Sequence, residues 1–235
     1  TVSSIATGKA GKYIVTAAND NCVSKPDTFD VTILNPYDDS KICIATVGSE
    51  TGKNVIVWER QSGKRTVSYN IYKMIGLGYI LVGNVPYDSA GLYVDYSSMP
   101  DVISNRYAIS VIDSCGNESK KSPYIQTINL GASLGVDTGT AILNWTPYVD
   151  ESKSFEPDFY YIYKGTSKAN IKLLDSVSGN FTLYNDKSRN GATYYQIGIK
   201  KPSLCNEKVL KAESGPYAQS LSNIAEYKVQ TSSLA

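Results

Sequence analysis

The sequence predicts an all-β protein: a terminal β-hairpin followed by two β-sandwiches of one fold. Apolar and polar residues alternate with a period of two, and helical periodicity is nearly absent. Short β-branched and aromatic runs are cut at close intervals by turn formers. An ordered set of aromatic and charged markers then occurs twice. The 235 residues suffice for two domains of about 100 residues each, and 42% hydrophobic with 19% charged residues is the balance of a folded chain.

The first element is a hairpin within residues 1–37. Gly11-Lys-Tyr-Ile-Val-Thr-Ala17, then Asn19-Asp-Asn-Cys22, then Thr28-Phe-Asp-Val-Thr-Ile-Leu34 reads as strand, turn, strand. A lone hairpin is marginal in water, so it is expected to pack on the next domain or on another chain. Two sandwiches follow, over residues 38–130 and 131–235. Asn54-Val-Ile-Val-Trp-Glu59, Ser68-Tyr-Asn-Ile-Tyr-Lys73 and Arg106-Tyr-Ala-Ile-Ser-Val-Ile112 are strands, bounded by Ser62-Gly63, Asn84, Pro86, Cys115-Gly116-Asn117 and Asn190-Gly191. Residues 167–174 and 219–227 read equally as weak helix or strand.

The repeat is explicit. Ile56-x-Trp58, Tyr69-x-Ile71-Tyr72-Lys73, Tyr79 to Val85, Tyr93-x-Asp95 and Tyr107-x-Ile109-x-Val111 recur as Leu143-x-Trp145, Tyr161-Ile162-Tyr163-Lys164, Ile171 to Val177, Tyr184-x-Asp186 and Tyr195-x-Ile197-x-Ile199. Alternate strand residues share a face, so Trp58, Tyr69 and Tyr107 are expected in one core and Trp145 and Tyr195 in the other. Tyr107 and Tyr195 stand where a tyrosine corner places its hydroxyl on nearby backbone. Asp95 and Asp186 end strands, where a carboxylate accepts turn N–H groups.

Composition narrows the chemistry. There is no histidine, which excludes Ser-His-Asp and Cys-His nucleophile pairs and His-containing zinc sites. A net charge of +1 gives no long-range pull toward nucleic acid or anionic membrane. No run of 18 apolar residues is present to span a bilayer. Cys22, Cys43, Cys115 and Cys205 form no C-x-x-C pair.

These strands resemble fibronectin type III domains, twice over. More narrowly, Ile42-Cys-Ile-Ala-Thr-Val47 with Thr51-Gly-Lys-Asn54, Ile109-Ser-Val-Ile-Asp-Ser-Cys-Gly-Asn-Glu-Ser119 and Gly215-Pro-Tyr-Ala-Gln-Ser-Leu-Ser-Asn-Ile224 resemble secreted surface proteins of Bacteroidetes-type bacteria. That resemblance implies an extracellular or bacterial cell-surface location. It also implies a PKD or immunoglobulin-like domain before the pair, whose last hairpin is residues 1–37, and a type IX secretion sorting domain after it. In a fibronectin-type sandwich the first strand and the loop between the last two strands meet at one end, which implies a Cys43–Cys115 disulfide, with free buried thiols as the alternative. Cys22 and Cys205 are then too far apart to meet if the domains are strung out.

Among candidate sites, the loop at residues 146–158 stands out. It carries Tyr148, Asp150, Glu151 and Phe155 between two core strands, either as ligand-binding residues or as packing against the neighbouring domain. Glu59, Asp95, Asp113, Asp150, Glu151 and Asp186 are the available acid–base groups, and turn capping accounts for each. Asn19-Asp20-Asn21, and Asp113 with Asn117 and Glu118, offer oxygens for calcium, but Asx turns explain both. No metal and no cofactor is expected. The reading is a non-enzymatic spacer or adhesion module that meets other domains of its own protein, with glycan or surface protein as a further partner. The alternative is a carbohydrate-binding module of a polysaccharide-degrading enzyme.

Overall fold

In the first thirty residues, aromatic and β-branched side chains alternate with polar ones, and two five-residue strands form. The computed structural model describes residues 9–33, 40–60, 65–135, 139–187, 194–205 and 217–227. It divides into two units, residues 1–36 and 37–235. In the first, Gly11–Val15 (β1) pairs antiparallel with Asp27–Val31 (β4), and Ala18–Asn19 (β2) with Cys22–Val23 (β3). Tyr13 lies opposite Phe29 on one face, and Lys12 opposite Asp30 on the other.

The first sandwich has seven strands: Ile42–Val47 (β5), Asn54–Trp58 (β6), Thr66–Ile75 (β7), Gly78–Pro86 (β8), Leu92–Asp95 (β9), Arg106–Asp113 (β10) and Ile125–Gln126 (β11). They form sheets β5-β6-β9 and β11-β10-β7-β8. Ile75 pairs with Gly78, so the β7–β8 turn has only Gly76 and Leu77, and Gly76 takes the left-handed φ of 60° the turn needs.

The second sandwich comprises Leu130–Leu134 (β12), Ala141–Trp145 (β13), Val149–Asp150 (β14), Phe159–Gly165 (β15), Ile171–Ser178 (β16), Leu183–Asp186 (β17), Tyr194–Cys205 (β18), Tyr217–Leu221 (β19) and Ala225–Glu226 (β20). Its sheets are β12-β13-β17 and β16-β15-β18-β19, with β20 also on β18. Three strands face four in the same order in both halves, a fibronectin type III-like sandwich each time. Both ambiguous segments are strands, falling in β16 and in β19 and β20. The predicted turns Ser62-Gly63 and Asn190-Gly191 lie outside the described residues.

The repeat extends to side chains. Trp58 packs on Tyr69 with ring centroids 5.3 Å apart, and Trp145 on Tyr160 at 5.4 Å. Each hairpin has a bulge at the same place, after Ile71 and after Ile162, leaving Val82 and Leu174 unpaired and packed on the core. Trp58, Tyr69, Tyr107, Trp145 and Tyr195 are all buried. A tyrosine corner is expected to place these two hydroxyls on backbone, and each is found on a buried carboxylate. Tyr107 donates to Asp95 Oδ2 (2.6 Å) and Tyr195 to Asp186 Oδ2 (2.8 Å). Lys73 and Lys164 point inward to the same carboxylate oxygens at 2.9 and 3.3 Å. An inward lysine on a core face requires such a buried counter-charge. One apolar cluster runs through both sandwiches, joined by Ile128, Leu130 and Tyr148.

Candidate functional site

The four candidate binding residues of the 146–158 loop come together at the junction between the sandwiches. Val149 and Asp150 form β14, which pairs with Gln126 and Ile125 of β11, so this loop adds a strand to the first sandwich's sheet. Glu151 N donates to Tyr124 O (3.0 Å), and Tyr124 N to Glu151 Oε2 (3.0 Å). Asp150 accepts from Ser152 N (2.9 Å), Ser152 Oγ (2.6 Å) and Ser154 Oγ (2.6 Å). Burial favours the neutral acid, but these donors and the Lys201 charge hold the Asp150 carboxyl below its ordinary value. Tyr148 is buried, its N–H donating to Tyr160 Oη (2.9 Å), and burial beside Asp150 pushes its phenol up. Phe155 meets Tyr148 edge to face at 6.1 Å, under the Lys201 ammonium. Tyr124, Asp150, Glu151, Phe155, Tyr160 and Asn180 line a groove of about 400 Å³.

A second contact uses the far end of β18. Cys43 on β5 is bonded to Cys205, not to Cys115, and Cys115 is free and exposed. The expected Cys43–Cys115 pair is therefore corrected: β18 and β19 bring the second sandwich against β5. Lys201 Nζ donates to Cys43 O (2.7 Å), Ser220 Oγ to Ala45 O (2.6 Å) and Leu221 N to Thr46 Oγ1 (2.9 Å). Burial pulls the Lys201 ammonium down, against the attraction of Asp150 and Glu59. Ile44, Val55 and Val57 are buried on the outer side of β5 and β6, packed with Cys205 and Tyr217. This small second core is the feature that alternation concealed. The signal was present in Asn54-Val-Ile-Val-Trp58, a strand apolar on both faces. Within the second sandwich, Asn223 accepts from Leu130 N (2.8 Å) and donates to Leu130 O (3.0 Å), tying the start of β12 to the segment after β19.

The carboxylates have structural occupations. Asp95 and Asp186 hold the buried Lys and Tyr groups. Asp113 accepts from Cys115 N and Asn117 N, both at 2.8 Å, which is the Asx-turn reading of that cluster. Glu118 Oε1 accepts from Ser110 Oγ (2.5 Å), Asn70 Nδ2 (3.2 Å) and Tyr72 Oη on the outer face of the β7–β10 ladder. On that face Tyr72 and Tyr79 stand at 81° to each other, with Lys121 4.2 Å above Tyr72 and Arg106 4.8 Å above Tyr124. Among the described residues no group of three or more His, Cys, Asp or Glu is placed to hold a metal.

No protein-family model matches the chain, and no curated protein matches it. Solved structures similar to it are fibronectin type III arrays. The FN1–FN3 domains of chicken CNTN1 are 13% identical over 80% of this chain and 70% of that one, TM-score 0.31. The central fibronectin-III array of RIM-binding protein is 12% identical over 77% and 67%, TM-score 0.31. A two-domain fibronectin type III segment of chicken tenascin is 18% identical over 79% and 98%, TM-score 0.26.

Proposed function

We propose that this chain is a non-catalytic spacer and adhesion module that holds two sandwiches, and whatever each one joins, in a fixed relation. The observation that carries this is the Cys43–Cys205 disulfide between the sandwiches. Tandem domains move relative to one another unless their interface is extensive, and here the disulfide is seconded by the β11–β14 ladder and by the bonds of Lys201, Ser220 and Leu221 to β5. A disulfide persists in oxidising compartments, which supports a secreted or cell-surface setting. The resemblance to Bacteroidetes-type surface proteins supports the same setting, with type IX transport of the parent and the hairpin as the end of a PKD-like domain.

Distance measurement between spin labels on exposed positions of the two sandwiches, Asp88→Cys and Lys172→Cys with Cys22 and Cys115 replaced by serine, tests the rigidity. A single narrow distribution is expected; a broad one, with the disulfide intact, sinks the fixed-relation reading. A carbohydrate-binding module is the second reading, favoured by the groove of about 400 Å³ with its Tyr124 and Phe155 rings beside the Asp150, Glu151 and Glu156 carboxylates. A screen against arrayed polysaccharides and matrix proteins decides it: a saturable hit lost on Phe155→Ala makes the groove a recognition site.

A further inference from the structure

The two sandwiches differ at the outer strand of their four-stranded sheets. In the second, β16 carries exposed Lys172 and Asp175, and the turn before it, residues 166–170, is polar and includes Lys168. Charges of this kind keep an edge from pairing with other chains. In the first, β8 is the terminal strand, and the fourteen residues from Met74 to Tyr87 contain no charge. Ile75 is 58% exposed, Leu77 105%, Ile80 45% and Leu81 56%. From Val82 onward the strand is roofed: Tyr93 Oη donates to Val82 O, and any Cβ at Gly83 would meet the Tyr93 ring. The open stretch is therefore Gly78–Leu81 with the turn before it.

We infer that this stretch of β8 pairs antiparallel with the same stretch of a second copy of the chain. The partner must be uncharged along the contact and must offer its own unpaired N–H and C=O groups. A second β8 meets both requirements, and a two-fold axis between the two strands makes the contact self-complementary. Assembly stops at two copies, because a two-fold contact uses the same stretch of β8 on both and leaves no second one open. The result is one continuous sheet across the dimer, with Ile80 and Leu81 of each copy covered by the other.

Sedimentation velocity on the whole chain from about 1 to about 500 µM reads this directly. The expected result is a concentration-dependent rise of the weight-average mass toward twice that of the monomer, with amides of residues 78–81 slowing in hydrogen exchange as the dimer fills. Leu81→Lys should abolish the rise while leaving the melting temperature within a few degrees. Val102→Lys, on an exposed apolar loop residue elsewhere on the first sandwich, should leave it intact. A monomer at every concentration overturns the inference, as does a dimer that survives Leu81→Lys or whose protected amides lie outside β8.

Discussion

Cys43 in the first sandwich and Cys205 in the second are bonded across a sequence separation of 162, with their Cα atoms 5.8 Å apart. Loop-closure entropy for a loop of that length is worth about 5 kcal/mol, and disulfides commonly deliver less than this bound. Cys205→Ser, or reduction, in a background with Cys22 and Cys115 replaced by serine should lower the melting temperature by on the order of 10 °C. Differential scanning calorimetry with and without reductant checks it. An unchanged melting temperature would mean the bond is not formed or that it constrains nothing.

The shared apolar cluster makes a second expectation, about cooperativity. Trp58 and Trp145 are the only two tryptophans, one per sandwich. Trp58→Phe leaves Trp145 as the sole fluorescent reporter, and Trp145→Phe leaves Trp58. In urea, the fluorescence and far-ultraviolet circular dichroism transitions should coincide within each variant, because Ile128, Leu130, Tyr148 and the Cys205–Tyr217 packing join the two cores. A tryptophan transition separated from the global one by more than a molar unit of urea would show sandwiches that unfold independently.

Much of this architecture is legible in the amino-acid order, and the exceptions have physical causes. Period-two alternation places Trp58, Tyr69 and Tyr107 inside, because a strand presents alternate residues to one face. The same rule puts Lys73 on the face of Tyr69 and Ile71, and an inward lysine asks for a carboxylate, which Asp95 supplies. That inference was open to sequence reasoning and differs from the backbone contact expected for Tyr107. The Cys205 partner was not legible, because pairing across domains depends on how the sandwiches are set together, and local patterns do not encode that. The both-faced apolar runs of β5 and β6 were the available trace of the covering strands.

Removing one member of the buried Lys73–Asp95 pair should cost more than removing both. Lys73→Met leaves Asp95 buried without its ammonium and is expected to destabilise by about 3 kcal/mol. The double variant Lys73→Met with Asp95→Leu removes the charge along with its counter-charge, so it should recover part of that loss. Urea denaturation of the three proteins gives the comparison. A double variant less stable than Lys73→Met alone would show that Asp95 acts chiefly through Tyr107 and Ser97 rather than through the lysine.

The same network contributes to both limbs of the stability profile. Burial alone would raise the Asp95 carboxyl, but hydrogen bonds from Ser97, Tyr107 and Lys73 and the Lys73 charge bring it below its ordinary value. A carboxyl depressed on folding contributes stability above its unfolded value, about 3.9, and that stability is lost as pH falls through the folded value. Tyr107 is displaced upward by burial and by its bond to Asp95, and Tyr184 is pushed up to about 12 by burial and by Asp175. A phenol raised on folding keeps its proton when the unfolded chain has lost it, so stability falls as pH rises past about 10. Melting temperatures between about pH 2 and pH 12 should therefore show a plateau with losses on both sides. Asp95→Asn should flatten the acid limb and Tyr107→Phe the alkaline limb, each from a lower plateau. An alkaline limb unchanged in Tyr107→Phe would assign it to other tyrosines, Tyr184 first among them.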